Sequence, residues 1–210
     1  MKRTCLLLSV LALASPAAAQ DPPSLSIRPF VMGAEQNFTA ADTFEAVFDT
    51  TRGPFFGGGV QVVVFDQFVV ELGASRFKQT GERVFRTSTG SVFRLGIPLT
   101  ATITPFEVTG GYRFPMWERV RPYVAAGVGS FAYQETCDFA DPTTENIDTR
   151  KTGFVLNGGA EVRLHRWIGA AADVQYSRVR GILGSGGLSQ QVGENDLGGV
   201  AVRFKLIVGR

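Results

Sequence analysis

Apolar and polar side chains alternate with a period of two along much of the chain. Ile168, Ala170, Ala172, Val174 and Tyr176 fall on one parity, and Gly169, Ala171, Asp173, Gln175 and Ser177 on the other. Val200, Val202, Phe204, Leu206 and Val208 alternate with Ala201, Arg203, Lys205 and Ile207. The same holds for Phe68, Val70, Leu72 and Ala74 against Val69, Glu71, Gly73 and Ser75. Phe154, Leu156, Ala160, Val162 and Leu164 alternate with Val155, Asn157, Gly159, Glu161 and Arg163. Each segment has one greasy face and one polar or small face, as a strand between two different environments requires. Beyond the first twenty residues no stretch holds 18 uninterrupted apolar residues; the nearest, Gly59 to Ala74, is broken by Gln61, Asp66, Gln67 and Glu71. Membrane-spanning helices are excluded there.

Eight strands are predicted, at roughly 24–37, 54–65, 68–79, 94–114, 121–135, 152–164, 167–180 and 196–209. The fourth changes parity: Leu95, Ile97, Leu99, Ala101 and Ile103 lie on one, then Phe106, Val108, Tyr112 and Phe114 on the other. Pro105 stands at the change, where a bulge would tolerate proline and reset the register. The fifth, Tyr123 to Tyr133, is apolar on both faces, which leaves its sides unassigned.

Connection lengths carry the architecture. Asp66-Gln67, Pro115 to Val120 and His165-Arg166 are short; 38–53, 80–93, 136–151 and 181–195 are long, and the two kinds alternate. Long loops therefore gather at one end and short turns at the other, an asymmetry that a transmembrane barrel has reason to keep. Crossing the hydrocarbon takes about 9–11 tilted residues per strand, which every candidate supplies. Backbone groups in lipid must be paired, so the sheet must close. Aromatics near strand ends suggest two interfacial girdles, with Phe65, Phe68, Trp117 and Trp167 at the short turns and Phe77 and Tyr133 toward the long loops. The expected fold is all-β: a closed antiparallel eight-stranded transmembrane up-and-down barrel.

The first residues read as an address. Met1-Lys2-Arg3, an apolar run from Thr4 to Ala14 and the small residues Ala17-Ala18-Ala19 match a signal peptide cleaved before Gln20. Residues 1–19 are thus the expected leader and 20–210 the barrel domain. Cleavage would leave Cys137 as the one cysteine, which excludes a disulfide scaffold. Removing Lys2 and Arg3 from the 21 basic residues leaves 19, matching the 19 acidic ones. A neutral mature chain lacks the electrostatic footprint of a nucleic-acid binder.

Three stretches carry a family resemblance: Arg121-Pro-Tyr-Val-Ala-Ala-Gly-Val-Gly-Ser-Phe-Ala-Tyr133, Gly153-Phe-Val-Leu-Asn-Gly-Gly-Ala-Glu-Val-Arg-Leu164 and Ile168-Gly-Ala-Ala-Ala-Asp-Val-Gln-Tyr176. They resemble the small outer-membrane β-barrel proteins: outer membrane protein W, the opacity-type proteins and the membrane domain of outer membrane protein A. The resemblance covers the mature chain from about Ser24 onward. It implies an eight-stranded barrel in a Gram-negative-type outer membrane, with outer-membrane lipids and the barrel-assembly machinery as partners. It also implies a monomer.

With the apolar parity turned toward lipid, the lumen receives Arg28, Gln61, Glu71, Glu107, Arg113, Asn157, Glu161, Arg163, Asp173, Gln175, Arg203 and Lys205. Five are basic and four acidic. In a lumen only wide enough for side chains, such mixed charges pair into a plug; a narrow polar conduit or ligand pocket is the alternative. Evidence for catalysis is thin. His165 is the only histidine and sits in a short turn, away from any Ser–carboxylate constellation at the outer rim. No His/Cys cluster suits a metal. Gly57-Gly-Gly59 and Gly127-Val-Gly129 lead into no helix and read as sites of curvature or close packing rather than phosphate loops. The loop after Cys137, with Asp138, Asp141, Glu145 and Asp148, lacks the spacing of a calcium loop and reads as solvated charge. Phe44, Val47, Phe48 and Phe55 make the first long loop greasy, fit to fold over the lumen, touch headgroups or bind a partner.

These features predict a non-enzymatic outer-membrane barrel of structural or interaction type, with no cofactor. Resemblance to the outer membrane protein W group adds a narrow channel for small apolar molecules as a transport variant. Two rivals are a lipid-modifying barrel enzyme and a soluble periplasmic ligand-binding barrel.

Overall fold

The computed structural model describes residues 25–87, 92–137, 146–184 and 187–209. Within them the chain forms β1 (Leu25–Phe38), α1 (Ala41–Phe48), β2 (Arg52–Val64), β3 (Phe68–Arg86), β4 (Val92–Arg113), β5 (Val120–Cys137), β6 (Ile147–His165), β7 (Ile168–Val179), α2 (Gly187–Val192) and β8 (Leu197–Val208). Each strand pairs antiparallel with its neighbours in sequence, and β8 pairs with β1 from Phe30↔Ile207 to Phe38↔Gly199, closing the barrel. No edge remains to expose unpaired backbone to lipid.

Alternation sets the faces. Along β8, Val200, Val202, Phe204, Leu206 and Val208 are exposed, while Arg203 and Lys205 are buried. Phe68, Val70, Leu72, Phe154, Leu156, Val174 and Tyr176 also point outward. A soluble protein would not display a continuous apolar belt of this kind; a bilayer requires one. The fifth strand, unassigned from its sequence, turns Tyr123, Phe131 and Tyr133 inward and Val124 and Val128 outward. Glycine lets the strands approach across the wall: a Cβ on Gly59 would lie 1.9 Å from the Leu72 carbonyl oxygen, and one on Gly127 2.0 Å from that of Val108.

Several expectations need correction. No bulge sits at Pro105. The β4–β5 register runs unbroken through Pro105↔Phe131, and β3–β4 keeps one register on either side of it, shifting only between Glu82 and Val84. Leu99, Ala101 and Ile103 share the inward parity of Glu107 and Arg113, and it is the interior that changes from apolar to polar along β4. Phe77 and Tyr133 are not girdle residues either; they are 0% and 3% exposed and point inward, on the parity of Ser75 and Phe131. The outward aromatics toward the loop end include Phe56, Phe106, Phe154 and Tyr176, with Phe85 and Phe93 exposed farther along β3 and β4. At the short turns Phe65, Phe68, Trp117 and Trp167 do face outward.

The long connections solve their backbone problem in two ways. Most of 80–93 and part of 136–151 are strand: β3 with β4, and β5 with β6, pair as far as Arg86↔Val92 and Glu135↔Ile147. At 19, 22, 18 and 19 residues these four strands exceed the span of a bilayer. The other two connections, after β1 and β7, carry α1 and α2. Residues Asp138, Asp141 and Glu145 of the acidic loop lie outside the described residues.

Candidate functional site: the barrel lumen

The barrel interior has two tiers. Toward the short turns, side chains from all eight strands meet in one network of charged and hydrogen-bonding groups, the charged ones from six of them. Arg28 grips Glu161 bidentately, Nη1 to Oε1 at 2.6 Å and Nη2 to Oε2 at 2.9 Å, and Nη2 also donates to Gln61 Oε1 at 3.0 Å. Arg113 Nη2 donates to the same Glu161 Oε1 at 3.1 Å. Gln61 Nε2 passes the chain to Glu71 Oε2 at 2.8 Å, and Lys205 Nζ reaches both Glu71 oxygens at 2.7 Å. Lys205 Nζ also lies 3.3 Å from Asp173 Oδ2. Asp173 Oδ1 accepts from Arg203 Nε at 2.5 Å, and the Tyr123 hydroxyl donates to Asp173 Oδ2. Arg203 Nη1 sits 3.7 Å from Glu107 Oε2, an oxygen that accepts from Gln175 Nε2 at 2.9 Å. Asn157 joins in the amide orientation that lets its oxygen accept from Arg203 Nη2 at 3.1 Å.

Four cations, Arg28, Arg113, Arg203 and Lys205, thus face four anions, Glu71, Glu107, Glu161 and Asp173. Burial is deep: Arg203 and Lys205 are 1% and 3% exposed. Charges removed from water at that depth persist only when paired and hydrogen-bonded. Each charged head has such a partner. The Phe30 and Tyr123 rings cover Lys205 Nζ, with centroids at 5.2 and 5.9 Å, adding cation–π attraction. Tyr123 is the member that sequence reasoning missed. Its parity matches Phe131 and Tyr133, but a strand apolar on both faces hides which tyrosine carries a lumen hydroxyl.

Arg163 stands apart from the other lumen candidates. It shares their parity but lies at the last turn of β6, exposed, where Nη2 reaches only the Glu118 carbonyl oxygen at 3.4 Å. His165, also exposed, ends β6 at a register irregularity against β7.

Toward the long loops the interior is apolar. Phe38, Phe55, Phe77, Ile103, Phe131, Val155, Val179 and Leu197 project from the wall, and Phe44 of α1 drops among them. Phe38 and Phe44 stack with centroids 3.9 Å apart, and Phe77 meets Phe38 edge-on at 5.3 Å. The greasy first loop therefore folds over and into the lumen. Ala40 caps α1 without a side-chain acceptor, and the missing acceptor comes from the opposite connection. Glu194 accepts from the Asp42 and Thr43 amides at 3.1 and 2.9 Å and from Thr43 Oγ1 at 2.5 Å. Ile182 and Leu183 of that connection complete the cover.

No group of three or more His, Cys, Asp or Glu among the described residues is placed to hold a metal. Cys137 is buried and forms no disulfide among them.

Three comparisons bear on this architecture. The sequence matches the family model of the outer membrane protein beta-barrel domain over residues 4–204. No curated protein matches the chain. Among solved structures, Neisserial surface protein A superposes with a TM-score of 0.53 at 10% identity, covering 90% of this chain and 99% of that one. Ail, the attachment invasion locus protein of Yersinia pestis, gives 0.49 at 12% identity, with 88% and 96% covered. OprG from Pseudomonas aeruginosa gives 0.47 at 12%, with 88% and 93% covered. At such identities the likeness concerns the fold. The family match spans nearly the whole chain, the fold is a β-barrel, here closed and eight-stranded, and the outward face is built for acyl chains: the chain belongs to the outer membrane protein beta-barrel domain family and is a protein of the cell outer membrane.

Proposed function

We propose that this is a non-enzymatic barrel with a closed lumen, which acts as a structural element of the envelope and through the surfaces it presents outside the bilayer. The observation that carries this reading is the two-tier filling. A neutral network of eight charged side chains crosses the lumen, and an apolar cluster under α1 fills its other end, which supports a closed axis. A conducting pore would need a continuous file of water past both tiers. Passage of small apolar molecules along the axis would have to displace α1 and then break paired charges, so it is the less favoured variant.

Three subsidiary readings accompany it. Residues 1–19 are a leader removed before Gln20, which N-terminal sequencing of the membrane-extracted protein checks. The barrel-assembly machinery inserts the chain, which then stands as a monomer among outer-membrane lipids. The lone histidine, exposed at a short turn, gives no support to acyl-transfer chemistry at the outer rim.

The test is electrical. Purified protein that shows heat-modifiable migration is added to a planar bilayer; the expected result is insertion without ohmic steps. Large, stable single-channel currents from the unmutated protein would refute the closed lumen. Lipid A whose mass changes when the gene is expressed would refute the non-enzymatic reading.

A further inference from the structure

Below the network, at the short-turn end, the barrel opens into a recess of about 740 Å³. Its floor is the Arg28–Glu161–Arg113 cluster; Arg119, Arg121, Arg163 and Arg166 stand around it, with Asp66 and Glu118 as its only other carboxylates among the described residues. Six guanidinium groups thus face three carboxylates, and the pairing leaves a surplus. Arg28 and Arg113 share the single Glu161. Arg121 takes Asp66, at 3.3 Å from Oδ2 and 3.1 Å from the backbone oxygen. Arg163 has only a carbonyl, and Arg119 and Arg166 have no ion-pair partner among the described residues.

A second observation points the same way. The side chains of Arg28 and Arg113 are 9% and 5% exposed, yet Nε of each has no hydrogen-bond partner. Elsewhere in the lumen two cations, Arg203 and Lys205, face three anions, Glu71, Glu107 and Asp173, so the positive excess is confined to this recess. Concave walls of low dielectric focus such a field and concentrate counter-ions. The guanidinium fork suits oxyanions, whose oxygens accept two parallel N–H bonds. The volume lies within the range of small-molecule sites, about 300–1,000 Å³, and exceeds what one inorganic ion fills. Outside the neutral network, Arg119, Arg121, Arg163 and Arg166 face Asp66 and Glu118, and this excess of two among the described residues asks for a ligand with more than one anionic group. The opening lies on the barrel axis, inside the ring of strands, where no acyl chain reaches. Short turns face the periplasm in barrels of this type.

We infer that the recess is a periplasm-facing binding site for a small multivalent oxyanion, a polyphosphate or polycarboxylate held by Arg119, Arg163 and Arg166 over the Arg28–Arg113 floor. The bound anion stays on the periplasmic side, since the network above closes the axis.

Isothermal titration of the folded protein in an uncharged detergent, at fixed ionic strength, tests this with pyrophosphate and with citrate as probes. The expected result is saturable 1:1 binding of at least one probe; the probe bound more tightly tells phosphate from carboxylate chemistry. Exposed Arg119, Arg163 and Arg166 are replaced together by glutamine, a change that leaves heat-modifiable migration intact. Affinity should then fall at least tenfold, whereas Arg76→Gln with Lys78→Gln on the outer surface should leave it unchanged. Absence of saturable binding by either probe, or equal affinity in the triple variant, overturns the assignment. So does an equal loss in the outer-surface variant, which would mark a general charge effect.

Discussion

The two tiers of the lumen fill the same cylinder by opposite chemistry. The lower tier is ionic and belongs wholly to the strands: every member, from Arg28 on β1 to Lys205 on β8, is fixed by the register of the wall. The upper tier is apolar and half borrowed, because its centre is a side chain from a connection, Phe44 of α1. A charge network rigidly attached to the barrel cannot leave without breaking the barrel. A plug mounted on a loop can. The comparison therefore separates what holds the cylinder from what covers it.

The largest expected effect comes from breaking the lower tier. Asp173 accepts from Arg203 and Tyr123 and lies against Lys205, so Asp173→Ala leaves buried Arg203 with only the 3.7 Å contact to Glu107 as an ion pair and Lys205 with Glu71 alone. Truncating one partner of a buried pair costs about 3–5 kcal/mol. The temperature at which the heat-resistant band gives way to the unfolded one should drop sharply, without loss of outer-membrane targeting. An unchanged transition would mean that the network is not what holds the wall.

Phe44→Ala attacks the upper tier. Its intrinsic cost is comparable, about 3–5 kcal/mol for a buried phenylalanine, but the penalty falls on a local opening rather than on the whole barrel. Limited proteolysis within 40–51 should accelerate strongly while the barrel's melting transition moves little. On the proposed closed lumen, conductance should stay at zero, because the ionic tier remains in place. If Phe44→Ala lowers the global transition as far as Asp173→Ala does, the two tiers are one cooperative unit and the distinction fails.

The tiers also differ in how much of them the sequence reveals. The lower one follows from period-two alternation: once Val200, Val202 and Phe204 are turned to lipid, Arg203 and Lys205 have nowhere to go but inward. Its one silent member, Tyr123, lies on a strand whose two faces are equally apolar. The upper tier misleads. In β4 an apolar inward face over Leu99 to Ile103 followed by an apolar outward face from Phe106 looks like a change of register, and Pro105 at the junction invites a bulge. No local rule says that an interior can turn greasy halfway along one strand, because the reason sits sixty residues away in α1. Phe77 and Tyr133 go astray on the same ground. Their position near strand ends suggests an interface, whereas parity assigns them to the plug. The Glu194 cap on α1 joins two connections 150 residues apart and leaves no trace in either.

That cap offers a finer test of how the cover is held. Glu194→Gln keeps the shape and removes the charge that faces the N-terminus of α1. Loss of such a cap is worth about 1 kcal/mol. Hydrogen exchange at the Asp42 and Thr43 amides should quicken several-fold, with the β-sheet amides unaffected. Quickening across the sheet would tie the cover to the wall after all.

The smallest effect concerns the opposite side of the same cover. Asp196, just before β8, accepts from Arg178 at 2.8 and 3.0 Å and from the Gly181 amide at 3.2 Å, pinning the turn after β7. The hydrogen bond from Arg178 holds its carboxyl below the ordinary aspartate value. A lowered folded value means that the anchor's contribution is fully present above the unfolded value and is lost as pH falls through the folded one. The pair is half-exposed, so screening keeps the effect slight. Exchange protection of the Gly181 amide, corrected for intrinsic rates, should stay flat from pH 7 to 5 and weaken only below about pH 4. In Asp196→Asn that acid step should vanish, while the deeply paired lower tier keeps the barrel folded throughout. Loss of the folded band over the same interval would move the acid-sensitive element from the cover to the network, and the comparison would have to be redrawn with the wall as the weaker tier.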